Sequence, residues 1–279
     1  VPQSTATAIW RSSDVAEYKL SYLTDTARTT TIQTTSRLQY SKDSHPDNYQ
    51  ADQVTLKTTE ANAQILYTTN GSRVTLKKTD AATARSGEGY LQINGLWYEC
   101  GEDVQIYTGP IELPYDKNQQ AMIRTMVVAD GKRVGDAENT HEIQKLTAAS
   151  VKLESGSTDS QGGLNVKLGD RITDLWTENP HSSGSAAAEY AAVAEKTTIQ
   201  YYFSSNEEQV RDLGALPWKT LGIDESLPLE LPETEDRYLY VRMTAPTSGF
   251  SRSYVDADVA RFAITYPSKR NLKDLTVTT

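Results

Sequence analysis

Short runs of alternating apolar and polar residues, each closed by Gly, Pro or Asn, make up most of this chain. Such a period of two, with turn residues at the ends, predicts β-strands. Glu17–Leu23 sets Tyr18, Leu20 and Tyr22 on one face, and Thr30–Tyr40 is a second β-rich run. Ile65–Thr69 is stopped by Asn70-Gly71, and Met122–Ala129 is closed by Asp130-Gly131. In Arg237–Met243, Leu239, Val241 and Met243 alternate with Tyr238, Tyr240 and Arg242, which predicts one apolar face and one face toward water. The long loop from Ser72 to Ile106 holds Tyr90–Tyr98 around Asn94-Gly95, the signature of an inserted hairpin. One segment departs from the strand pattern. Ala186–Lys196 is Ala-rich and follows Ser185, so it predicts a short helix with a polar start.

The punctuation recurs. Ile111-Glu-Leu-Pro114 matches Leu229-Glu-Leu-Pro232; Arg124 and Arg242 each follow that proline by ten residues, and Gly131 and Gly249 each follow the arginine by seven. Upstream, Ile65-Leu-Tyr-Thr-Thr69 is aligned with the run that starts at Ile199. A matched strand, stop, arginine and turn at one constant offset reads as an internal repeat.

Ile65-Leu-Tyr-Thr-Thr-Asn-Gly-Ser72, then Tyr107-Thr-Gly-Pro-Ile-Glu-Leu113, then Ile123-Arg124 with a Gly turn, resembles the chitobiase/β-hexosaminidase C-terminal-type domain. The resemblance spans roughly residues 50–146 well and 160–266 more loosely. There Gly169–Thr173 resembles the family's opening strand, while Tyr202-Phe-Ser-Ser-Asn206 replaces the Thr-Thr-x-Gly-Ser turn. It implies an immunoglobulin-like β-sandwich that serves as an accessory module of large bacterial surface and secreted proteins, without catalytic residues of its own. The expected fold is all-β: tandem immunoglobulin-like β-sandwiches with one short helix inserted in the second. The expected division is 1–50 as N-terminal strands (a partial domain, slightly favoured, or a completion of the first sandwich). Then come 51–146 and 147–266 as the sandwiches and 267–279 as a tail or the start of a further domain. The Ser44–Asn48 turn marks the first boundary, and Ser155–Gly163 is a polar link or loop. The strand-like pattern after Asn271 has no evident partner, so the chain reads as a fragment of a longer protein.

At 279 residues there is length for two cores, and abundant Thr and Tyr suit pleated surfaces. The net charge of −9, with no basic cluster, argues against nucleic acid. Cys100 is the sole cysteine, so an intrachain disulfide is ruled out. No apolar run is long enough to span a bilayer, so direct membrane insertion is not expected.

Chemistry is sparse. His45, His141 and His181 read as turn residues in polar surroundings, and no Gly-x-Ser-x-Gly elbow accompanies them. Asp256 and Asp258, like Glu233, Glu235 and Asp236, read as solvated acidic turns rather than cation ligands. No catalytic residue, cofactor or metal site is expected. The candidate ligand-binding residues are aromatic: Trp97, Tyr98 and Tyr90, then Trp218 and Trp176, since exposed rings beside polar groups suit sugar faces. Rings that pin the insertions onto the sandwich are the weightier alternative. The leading functional expectation is a non-enzymatic structural or spacer module of an extracellular or surface protein. Its partners would be neighbouring domains of the same chain, with glycans or a host or cell-surface protein as further candidates. A carbohydrate-binding or adhesive module is one alternative, and accessory domains of a secreted glycosidase or peptidase are the other.

Overall fold

The computed structural model describes residues 23–84, 89–135, 137–146, 152–153, 164–167, 185–204, 210–221, 226–229, 237–265 and 276–278. Trp176, His181, Ser155–Gly163, Gly169–Thr173, Glu233–Asp236 and the strand-like runs before Tyr22 lie outside the described residues.

The fold is all-β with short helical pieces. In the first half the strands are β1 (Thr30–Thr35), β2 (Gln53–Thr58), β3 (Ala63–Thr68), β4 (Leu76–Thr79) and β5 (Tyr90–Ile93). They are followed by β6 (Leu96–Cys100), β7 (Gln105–Ile106), β8 (Ile111–Glu112), β9 (Gln120–Ala129) and β10 (Glu138–Lys145). The second half holds β11 (Lys152–Leu153), β12 (Leu164–Lys167), β13 (Thr198–Ser204), β14 (Lys219–Leu221) and β15 (Ser226–Leu229). It continues with β16 (Arg237–Thr244), β17 (Ser253–Val255), β18 (Ala260–Thr265) and β19 (Thr276–Thr278). Helix α1 is one turn, Ala81–Ala84; α2 is Ser185–Lys196.

Three layers build the first half. Sheet β1-β2-β8 packs on one face of sheet β17-β10-β9-β3-β7, where Val54, Leu56, Ile65, Tyr67, Ile111 and Ile123 interdigitate. On the opposite face, Leu66, Met126 and Val128 meet Val74, Leu91, Ile93 and Val104 beneath the inserted sheet β4-β6-β5. Because β3 and β9 are covered on both sides, their burial is continuous (Ile65–Thr68, Thr125–Ala129) instead of alternating. Strand β1 pairs along its whole length with β2, which ties Thr30–Thr35 into this sheet.

The second half repeats the pairing order. Sheet β11-β12-β15 corresponds to β1-β2-β8, and β14-β13-β16-β18 to β7-β3-β9-β10. Arg124 and Arg242 therefore occupy equivalent central strands, and Gly131 and Gly249 both turn at positive φ (78° and 93°). The upstream alignment needs a correction. Thr68 pairs with Arg124 and Gln200 with Arg242, so Tyr67, not Ile65, is level with Ile199. The slip is two residues, which leaves every side chain on its original face.

Two further expectations change. Tyr240 is fully buried rather than facing water, because Tyr40, Leu213, Val259 and Trp218 cover that side of β16. The C-terminal strand does find a partner: β19 adds antiparallel to the free edge of β18.

Candidate functional site

The densest polar constellation lies where the two halves meet. Asp52 enters β2, accepts the Arg37 N–H at 2.8 Å through Oδ1, and fixes Leu113 through its carbonyl. Lys145 ends β10, and Asp258 sits in the turn between β17 and β18. The Lys145 ammonium donates at 2.8 Å to Asp52 Oδ2, at 2.8 Å to Asp258 Oδ1 and at 3.3 Å to the Tyr49 hydroxyl. It also lies 5.5 Å from the Tyr115 ring centroid and 5.6 Å from that of Tyr49. The side chains of Lys145 and Asp52 are 2% and 1% exposed. Burial by itself lowers the Lys145 pKa, but hydrogen bonds to Asp258 and Asp52 outweigh it and hold the group protonated above the ordinary lysine range. Burial pushes Asp258 and Asp256 upward from the usual carboxylate value, with Lys145 pulling Asp258 back in part.

These aspartates are thus not solvated turn residues. Asp258 balances a buried cation, and Asp256 caps the Ala245 N–H while its own N–H donates to Ser36. Desolvation makes such a cluster costly unless every member is matched, so its worth is geometric: it admits one arrangement of the two halves.

Backbone pairing reinforces it. Strand β17, from the second half, adds in parallel to β10 of the first, Ile143–Lys145 against Ser253–Val255. Helix α2 secures β17 from behind, where Ser251 and Tyr254 hydroxyls donate to the Glu189 carboxylate at 2.7 and 2.9 Å. Val259 N–H bonds the Gln39 carbonyl, the Tyr40 hydroxyl donates to the Val210 carbonyl, and Arg252 pairs with Glu142 at 2.7 Å.

The aromatic candidates separate. Asn94 and Gly95 take positive φ (52° and 75°), the paired requirement of a tight hairpin turn, and Asn94 is braced by Asp130 and the Lys132 carbonyl. In β6, alternation sends Tyr98 and Cys100 inward onto the core, which leaves Trp97 and Glu99 on the outer face. Trp97 lies between Thr79 and Gln92 across the strands, with Tyr90 opposite Glu99 in the next row. Tyr90 and Trp97 thus share an outer platform, and Tyr98 is a packing residue. Trp218 belongs to the second half and is engaged on both counts: its indole N–H donates to the Leu213 carbonyl at 2.9 Å, and the Arg242 guanidinium lies 4.7 Å from its ring. The four residues do not form one site.

His141 is a strand residue, not a turn residue; it sits half-buried on β10 with its Nε2 3.1 Å from the Thr30 hydroxyl, and burial lowers its pKa. The Cys100 thiol is half-buried, and burial pushes its pKa up, away from nucleophilic character. Among the described residues no group of three or more His, Cys, Asp and Glu is arranged to hold a metal ion.

Residues 45–137 match the family model of the chitobiase/beta-hexosaminidase C-terminal domain. That domain is a non-catalytic accessory domain of glycosidases. The matched stretch covers β2 to β9, including Asp52 and the inserted sheet with Trp97, and ends just before β10. Two of the three charges of the junction, Lys145 and Asp258, lie outside it. No curated protein matches the chain. No helix among the described residues is long and apolar enough to cross a membrane.

The junction was hidden from sequence reading because its members lie far apart in the chain, each among polar neighbours. The split between Trp97 and Tyr98 was available from strand alternation alone.

Proposed function

We propose that this chain is a stiff, non-catalytic spacer made of two chitobiase C-terminal-type sandwiches within a larger extracellular or surface protein. The observation that carries the reading is the junction: a shared β-ladder and a buried Lys145–Asp52–Asp258 cluster leave the halves no free hinge. The repeated strand order supports the tandem, and the family match supports the accessory role. Small-angle scattering tests it. The expected result is one rigid particle whose dimensions do not change with salt; a scattering curve requiring two independently moving lobes would sink the proposal.

A carbohydrate-binding role is a second reading, favoured by the outer face that sets Trp97 between Thr79 and Gln92 and beside Tyr90. It expects a tryptophan fluorescence change with a neutral glycan that Trp97→Ala abolishes. Silence across a broad glycan array removes it.

A further inference from the structure

Above the junction runs a trough built by the segment that links β1 to β2 and by the turn that precedes β14. Its main hollow, about 1180 Å³, is lined by residues that include Arg37, Tyr40, His45, Asn48, Gln50 and Arg211. A second hollow of about 390 Å³ shares Arg37, Tyr49 and Gln50 with the first and extends it to Lys42, Gln53 and Glu112. The two hollows share the walls formed by Arg37, Tyr49 and Gln50.

Its described lining residues carry a charge opposite to that of the whole molecule. The chain carries −9, yet the trough offers Arg37, Arg211 and Lys42, and Glu112 is the one carboxylate among its described lining residues. The nearby Asp52 and Asp258 are matched by Lys145 and lie beneath the surface. Arg37 is held in place by its backbone bond to Asp52, and its side chain reaches Gln53 Oε1 only at 3.4 Å. Its Nε is buried without a hydrogen-bond partner among the described residues. No carboxylate among the described residues pairs with the Arg37 side chain, whose only side-chain contact is the long one to Gln53, so its terminal N–H groups are left to take a carboxylate from outside.

The remaining walls favour a ringed, hydroxyl-rich occupant over a compact anion. Exposed Asn48 and Gln50 supply amides, and Tyr40 stacked on His45 at 4.4 Å, with Tyr49, supplies flat apolar surface. We propose that the trough binds a linear acidic saccharide, with Arg37 and Arg211 taking successive carboxylates and Lys42 adding charge at the far end. The site is separate from the Trp97 face, and the spacer reading stands or falls without it.

The test is calorimetric titration of the whole chain with hexagalacturonate, against maltohexaose, hexaglutamate and inorganic sulfate. The expected result is binding of hexagalacturonate that weakens steeply with salt, as ion-pair release requires. Arg211→Gln, an exposed change that leaves the fold intact, weakens it several-fold; Arg37→Gln with Arg211→Gln weakens it at least tenfold; Trp97→Ala leaves it unchanged. Absence of hexagalacturonate binding, equal binding of maltohexaose, or indifference to both arginine variants overturns the proposal. Equal binding of hexaglutamate overturns the saccharide class, and equal competition by sulfate at the same concentration reduces the trough to an adventitious ion only.

Discussion

The junction and the inserted sheet are both additions to a plain sandwich, but they are built on opposite principles. At the junction, charge is buried and the cation is matched: Lys145 lies within 2.8 Å of two carboxylates and is 2% exposed. In the inserted sheet, apolar residues go down onto Leu66, Met126 and Val128, and Trp97, Gln92, Glu99 and Tyr90 remain above. The first arrangement fixes position at the expense of tolerance. The second leaves a surface that can change without disturbing what lies beneath.

The sharpest way to break this contrast is at Lys145. Lys145→Ala leaves two buried carboxylates unmatched, and a loss of about 3–5 kcal/mol is expected from chemical denaturation. The triple change Lys145→Met, Asp52→Asn, Asp258→Asn should recover most of that loss, because the cost comes from unmatched charge. If the single change costs under about 1 kcal/mol, a value typical of exposed pairs, the cluster is not what holds the halves together.

On the inserted sheet, Gly95 has φ 75° and open space where a Cβ would stand, so Gly95→Ala carries backbone strain alone. About 1–2 kcal/mol is expected, read from the same denaturation curves. A larger loss would mean that the hairpin is as tightly coupled to the core as the junction is.

Acidification discriminates next. Asp256 and Asp258 have folded-state pKa values above those of the unfolded chain, so within that window the folded state holds more protons. Their cost is fully present at neutral pH and fades as pH falls through the raised values toward the ordinary carboxylate pKa. Relative to Asp256→Asn/Asp258→Asn, the parent protein should therefore gain stability between neutral pH and about pH 4. Lys145 has the other sign: its contribution is complete below the ordinary lysine pKa and disappears only as pH rises through its elevated value. A difference curve flat with pH would count against the buried cluster. Smallest of all, Trp97→Ala on the half-buried outer face should cost no more than about 1 kcal/mol, the range of a cross-strand aromatic pair. A loss of several kcal/mol would make Trp97 a packing residue and remove the platform.

What the sequence revealed follows from the range of the interactions. The Asn94-Gly95 turn is decided by two adjacent residues, so it was legible. The burial of Tyr240 depends on Tyr40, delivered by a segment of the other half, and alternation along β16 gives no hint of it. Asp256 and Asp258 looked like solvated turn residues for the same reason: the cation that matches Asp258 arrives at the end of a distant strand. At the candidate site, residue type pointed to the Trp97 hairpin but did not show that Tyr98 turns inward and that Trp218 is already covered by Arg242.

Strand β17 belongs by chain position to one sandwich and completes a sheet of the other. A recombination point drawn between the halves would leave Ile143–Lys145 as a bare sheet edge, open to pairing with any other chain. Neither half is then a portable part. The two halves can be exchanged or moved only as one piece.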